Sequence, residues 1–502
     1  MDGPSRKLSL GMLALIVAIL LAQLAATGSF SLFTRHFWLD EVHTYLTVAD
    51  PSLAHALAGL KGTVNGAPPE YFLLLRLFSS AFGGAGEWTF RLFSFLMTTL
   101  ALWGIYSLLR RAWSPLVALT ATMAAWANPV LLRQTFEARY YALWLAAIVW
   151  FAWFLACERE GGTWRSRLLL AICAALACTT HYFGVAAVGL IVLGVFLFDR
   201  RGTFFRPRTL LALAAGPAAL LARLPYYFSQ KAALAHADHI PALNAGQVLR
   251  VVSELLPPTH IPLIALGAWV SYLLWRNQPE TAVQDAQRND QPLALAGLSA
   301  LMAFPLLIVA FSVMVQPAFM SRYCLPAVAG FAVLFAFLMT RTAKPVVVSL
   351  LILFIALGAF GLLMFRRSAE RTDRHTDAMI ASLRALPDHA PVLFEISRDL
   401  SVISYYAPDL NARCFFMDFE EGEVGGVDKF RLSVRDMARI VERWYGSPAL
   451  LSWKNTATQP EFYLAVGHRL EDDLAGAERD YPGFAATVAA PGILRMEAAN
   501  RK

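Results

Sequence analysis

Hydrophobic residues in this chain gather into long uninterrupted runs rather than marking one face of short amphipathic elements. Such runs lie near residues 8–28, 90–109, 115–132, 139–156, 167–180, 182–198, 209–226, 260–275, 291–315, 323–340 and 345–364. Roughly twenty apolar residues carry a helix across the hydrocarbon core of a bilayer. The pattern therefore predicts an α-helical polytopic membrane protein with about eleven transmembrane helices. The first run, Leu8 to Ala26 behind Arg6 and Lys7, exceeds a signal-peptide core and reads as an uncleaved first helix. A shorter run, Tyr71 to Phe82, cannot span and is expected to lie along the membrane surface.

The pattern changes at Arg366, beyond which polar and apolar residues mix. Short apolar runs, Pro391-Val392-Leu393-Phe394 and Cys414-Phe415-Phe416, alternate there with a helix-like stretch from Ser433 to Trp444. We therefore expect a transmembrane domain over 1–365, with a large outward loop at 29–89, and a small α/β accessory domain over 366–502.

Composition supports a membrane protein. Hydrophobic residues make up 57% of the chain and charged ones only 16%, where a soluble domain carries about a quarter. The net charge of +7 does not imply nucleic acid, because the basic residues sit in short clusters between spans. These are Arg6/Lys7, Arg110/Arg111, Arg159 with Arg165 and Arg167, Arg200, Arg201, Arg206 and Arg208, Arg276/Arg288, and Arg341/Lys344. Eleven spans place all six clusters on one side, the cytoplasmic side by the positive-inside rule. The loops 29–89, 133–138, 227–259 and 316–322 and the C-terminal domain then face outward. The five cysteines show neither zinc-site spacing nor a disulfide framework.

Candidate chemistry collects on the outward side. The first loop carries Asp40-Glu41 beside Phe37 and Trp38, followed by Ala67-Pro68-Pro69-Glu70-Tyr71. Further groups are Glu137, Arg139 and Tyr140 where the fourth span begins, His181 at the end of the fifth, and Arg322-Tyr323 at the tenth. Ionisable groups at helix mouths usually face a cavity rather than lipid. Each alone has a plainer reading: a solvated acidic pair, snorkelling arginines, or a histidine that only bonds its neighbours. Four such groups on one side weigh against that reading.

Together these elements resemble the polyprenyl-phosphate-dependent membrane glycosyltransferases of the GT-C fold, the lineage of protein O-mannosyltransferases and bacterial aminoarabinose transferases. The resemblance is carried by Asp40-Glu41 after the first helix, Pro68-Pro69-Glu70-Tyr71-Phe72-Leu73-Leu74-Leu75, Glu137-Ala138-Arg139-Tyr140-Tyr141-Ala142-Leu143, and Arg322-Tyr323 with Pro326. It covers roughly residues 8 to 365. One departure is Ala67, where the family usually has His or Lys before the proline pair.

The resemblance implies inverting transfer of a sugar from a polyprenyl phosphate to a hydroxyl on a glycan, lipid or protein acceptor. It places this at the outer face of a bacterial inner membrane, without a nucleotide cofactor. Asp40, with Glu41, would be the catalytic carboxylate pair, and Arg139 and Arg322 would hold the leaving phosphate. Glu137, Tyr140, His181 and Tyr323 would line the substrate site. Glu41 and Glu137 would either orient the acceptor or, with Asp40, hold a divalent cation; Asp40 and Glu137 are the metal candidates. The main rival is a transporter or flippase of a lipid-linked saccharide. That rival calls for ionisable groups in mid-span and an inverted repeat, whereas mid-span residues here are mostly Leu, Ala, Val and Phe. An O-antigen ligase or polymerase is expected to lack the acidic pair in this setting. A receptor or scaffold needs far fewer spans.

Overall fold

The computed structural model describes residues 10–159, 161–198, 206–233, 243–256, 269, 293–340, 342–387, 390–394, 397–419, 429–466, 474, 477–481 and 483–499. The chain divides into two compact units. The first comprises Met1–Thr34, Ala67–Leu224 and Ala242–Arg367; the second comprises Arg35–Gly66, Pro225–Pro241 and Ser368–Lys502.

The first unit is helical. Among the described residues, six helices are long and apolar enough to cross a membrane, or seven if one bent pair counts as a single span. Ten of the eleven predicted runs coincide with helices of this unit. The run near 260–275 lies outside the described residues, apart from Trp269, as do Arg6, Lys7, Arg200, Arg201, Arg276, Arg288 and Arg341. The run at 115–132 is broken. Pro115–Trp126 and Pro129–Thr135 meet at 74°, because Pro129 has no amide to continue the ladder. Asn128 starts the second piece by accepting from Val130 N–H at 3.0 Å.

Helix Tyr141–Arg159 packs against Glu87–Leu109 and Trp164–Thr180. Gly184–Phe198 lies against Leu293–Ala300, and Gly194 meets Gly297 at that crossing, where side chains would keep the backbones apart. A polar tie joins three helices. Gln23 Oε1 accepts from Trp126 Nε1–H at 2.7 Å, and Gln23 Nε2–H donates to the Ile355 carbonyl at 2.5 Å. Such bonds in bilayer proteins are worth about 0.6 kcal/mol on average and up to about 1.7. Gln23→Leu, which removes both, should therefore lower the unfolding midpoint in detergent by a few degrees. An unchanged midpoint would show that the tie adds nothing to packing.

The second unit is built on a six-stranded sheet. Its strands are β1 (Val392–Phe394), β2 (Cys414–Asp418), β3 (Leu450–Ser452), β4 (Glu461–Ala465), β5 (Phe484–Ala490) and β6 (Ile493–Ala498), in the order β3-β2-β1-β4-β6-β5. β1 pairs in parallel with β2 and β4, and β2 with β3; β6 is antiparallel to β4 and β5. Parallel neighbours need crossovers, supplied here by helices Ser397–Tyr406, Lys429–Tyr445 and the short Trp453–Thr456. Alternate residues serve two cores, Val392 and Phe394 with Phe416 in one and Leu393 with Met417 and Leu464 in the other.

Arg35–Gly66 belongs to this second unit. Its helices are Leu39–Ala49 and Leu53–Lys61. Tyr406 anchors them through its hydroxyl, which accepts from Phe37 N–H at 2.7 Å, and His36 stacks on the same ring with centroids 4.2 Å apart. Asn65 Nδ2–H donates to the His43 carbonyl at 3.0 Å and to Thr47 Oγ1 at 2.9 Å, closing the segment.

Candidate active site

Six of the eight predicted site residues lie in the helical unit, and the structure brings them together. Their frame is the 74° break. After Pro129–Thr135 the chain turns through Glu137 to Tyr140 before entering Tyr141–Arg159. Ser94 Oγ donates to the Glu137 carbonyl at 2.7 Å and Gln134 Nε2–H to Glu137 Oε2 at 2.9 Å. Arg139 N–H turns back to the Glu137 carbonyl at 2.8 Å. The turn is thus fixed at both its backbone and its carboxylate.

Arg139 is buried, with its guanidinium 4.9 Å from the centre of the Tyr140 ring. The Tyr140 and Tyr141 hydroxyls lie 3.3 Å apart. His181 follows helix Trp164–Thr180 and stacks on Trp144 at 4.5 Å between centroids. The Tyr140 and Tyr323 rings lie 5.4 and 5.2 Å from it. Arg322, half-buried, covers Tyr323 at 5.5 Å. Glu137, Arg139, Tyr140, His181, Arg322 and Tyr323 therefore form one polar-aromatic cluster, built from three chain segments.

The field in this cluster is positive. Burial, then the charges of Arg322 and Arg139, lower the His181 pKa to about 3, so the ring is neutral at any physiological pH. His181 Nδ1 accepts from Phe183 N–H at 3.1 Å, which leaves the proton on Nε2. The imidazole is therefore a donor and not a base. Converging guanidinium forks, a neutral N–H donor and tyrosine hydroxyls suit a buried anion.

The other two predicted residues sit in the second unit, and not in a loop. Asp40 and Glu41 occupy the first turn of Leu39–Ala49, where unpaired helix amides favour carboxylates. Their environments differ. Glu41 is fully buried, with Oε2 accepting from Trp38 N–H at 3.2 Å and lying 3.4 Å from Arg35 Nη2. Asp40 is half-buried. Glu41 thus closes the helix start, and Asp40 presents the more accessible carboxylate.

Among the described residues, no three His, Cys, Asp or Glu side chains gather as a metal-ligand set. Glu137 Oε2 already accepts from Gln134 Nε2–H at 2.9 Å. Asp40 and Glu137, the candidate metal ligands, belong to different units.

Sequence reasoning missed three charged groups. Arg91 is fully buried in Glu87–Leu109 and donates through Nη1 to the Phe33 carbonyl at 3.3 Å. Arg223, within the span Pro207–Ala232, pairs with Glu70 at 2.5 Å. Glu254, on helix Ala245–Leu255, accepts from Ser321 Oγ. The first two carried a legible signal, an ionisable group inside an apolar run.

A sequence profile of the dolichyl-phosphate-mannose-protein mannosyltransferases matches residues 66–226. That stretch holds Glu137, Arg139, Tyr140 and His181. The fold is similar to that of ArnT from Cupriavidus metallidurans. The structure of that protein bound to undecaprenyl phosphate aligns at 15% identity and a TM-score of 0.57, covering 98% of this chain and 99% of that one. Its apo state aligns at 14% identity and a TM-score of 0.58, with the same coverage. The chain has the GT-C fold of these proteins. It is an integral membrane protein. No curated protein sequence matches it.

Proposed function

We propose that this membrane protein is a glycosyltransferase that moves a sugar from a polyprenyl phosphate to an acceptor hydroxyl, with inversion, at the outer face of a bacterial inner membrane. The observation that carries the reading is that Arg139 lies over Tyr140 and Arg322 over Tyr323, two rings that both flank His181. As the glycosidic bond breaks, negative charge collects on the departing lipid phosphate. Preorganised guanidinium forks stabilise that charge more than the ground state. The His181 Nε2–H and the Tyr140 and Tyr323 hydroxyls add donors around the phosphate and sugar. Asp40 accepts the proton of the attacking hydroxyl, and Glu41 is a positioning residue that holds the helix bearing it. The profile match and the ArnT structure with its bound lipid support a donor of this chemical class. The acceptor is a glycan, a lipid or a protein.

Purified protein supplied with a mixed pool of polyprenyl-phosphate sugars should release free lipid phosphate only as sugar reaches an acceptor. Release without any acceptor dependence would contradict transfer.

A pH dependence follows. The lowered pKa of His181, about 3, means that the ring gains a proton only well below neutrality. No inflection of the rate between about pH 5 and 8 should then belong to it. His181→Asn should lower the rate while leaving the midpoint of the acid limb in place. A midpoint displaced by that change would show that His181 titrates during turnover.

A further inference from the structure

Helix Ala245–Leu255 touches the turn that bears Arg322 and the short helix that leads towards Arg139. It begins at Asn244, whose Oδ1 accepts from Gln247 N–H at 2.8 Å. Gln247 and Glu254 are seven residues apart, two helical turns, and so share one face. Gln247 Nε2–H donates to the Phe319 carbonyl at 2.9 Å, and Glu254 accepts from Ser321 Oγ. Two side chains of one helix thus grip the strand-like approach to Arg322 at two points. At its C-terminal end, the Leu255 carbonyl accepts from Asn128 Nδ2–H at 2.7 Å. Asn128 starts Pro129–Thr135, the short helix that leads into Glu137 and Arg139.

We infer that Ala245–Leu255 is a clamp that sets the separation of Arg139 and Arg322, with Glu254 as the positioning residue for Arg322 through Ser321. The inference rests on the reading of the two arginines as the phosphate site, and deepens it. Ser321 precedes Arg322 in the turn Ser321–Cys324. Fixing the Ser321 hydroxyl limits the rotation of that turn, and with it the direction from which the guanidinium approaches. The acceptor in this bond is a carboxylate, and such charge-assisted bonds are stronger than neutral ones. A fork that must meet a phosphate bidentately loses most from a small misplacement. The device explains why a charged residue occupies position 254, on a helix whose Leu249 and Val252 are exposed.

The test uses the full-length protein in nanodiscs and two readouts. Amide hydrogen exchange of residues 316–324 reports the clamp itself, independent of any ligand. Binding of undecaprenyl phosphate reports the arginine site. Glu254→Ala should speed exchange in 316–324 and weaken lipid binding about tenfold, a loss of about 1.4 kcal/mol. Ser321→Ala, which removes the donor, should reproduce both effects. Glu254→Gln keeps an acceptor and should restore most of each. In an Arg322→Ala background Glu254→Ala should add no further loss, because residues acting through one group are not additive. Unchanged exchange at 316–324 would overturn the clamp. An equal binding loss with and without Arg322 would overturn the positioning role, since Glu254 would then act elsewhere. Unweakened binding by Arg322→Ala alone would overturn the phosphate reading and this inference with it, whatever exchange shows.

Discussion

Arg139→Ala and Arg322→Ala should each lower sugar transfer by roughly 10²–10³-fold, with most of the loss in kcat. That is the cost of removing one preorganised donor from a site where charge develops. Water cannot take the place of the lost fork cheaply, because Arg139 is buried and lies against the Tyr140 ring. Lysine at either position keeps the charge but not the planar pair of donors, so it should recover only part of the rate. The double change should cost less than the two single losses multiplied, because both forks act on one phosphate. The measurement is a comparison of kcat and KM for the lipid donor at matched amounts of folded protein. A rise in KM with unchanged kcat would mean that the arginines only bind the lipid and do not assist its departure.

Asp40→Asn should lower transfer by roughly 10²–10⁴-fold, the range of a general base. The side chains match in size, so helix Leu39–Ala49 should form and the protein should insert normally. Glu41→Gln behaves differently. Its carboxylate is bonded to Trp38 N–H and lies beside Arg35, so neutralising it loosens the helix start. We expect a smaller fall in rate, accompanied by a lower unfolding midpoint. Equal transfer by Asp40→Asn and the intact chain would remove Asp40 from the chemistry and turn attention to Glu41 and Glu137.

Much of this architecture was legible in the sequence because the bilayer forces it. A spanning segment must satisfy its own backbone, so apolar length alone located the helices at 8–28, 90–109 and 139–156. The break at Asn128-Pro129 carried a local signal, an Asn-Pro dipeptide, which the continuous apolar composition outweighed. The first loop hid its first helix, since Trp38 is no conventional capping residue. Composition also changes at Arg366 inside a helix that runs unbroken from Lys344 to Ala385, about 63 Å long. Apolarity there reports on the solvent and helicity on the backbone, and the two need not change together.

The candidate site was legible where several weak signals fell at helix mouths on one side. Glu137, Arg139, Tyr140, His181, Arg322 and Tyr323 come from three separate segments, and one fold joins them. What the sequence could not show is how such groups are held. Ser94, Asn128 and Glu254 orient the cluster through bonds to backbone or to a short hydroxyl. Bonds between residues so far apart in sequence leave no periodic trace. The neutrality of His181 is equally hidden, because it depends on burial beside two charges.

The most direct test of the account is a transfer assay in proteoliposomes with a polyprenyl-phosphate sugar labelled in both sugar and lipid. The sugar label should move to an acceptor while the lipid label stays as free polyprenyl phosphate. Arg139→Ala and Asp40→Asn should each slow this split by roughly a hundredfold or more. Movement of the intact doubly labelled lipid across the bilayer, with no split of the labels, would contradict transfer and support a flippase.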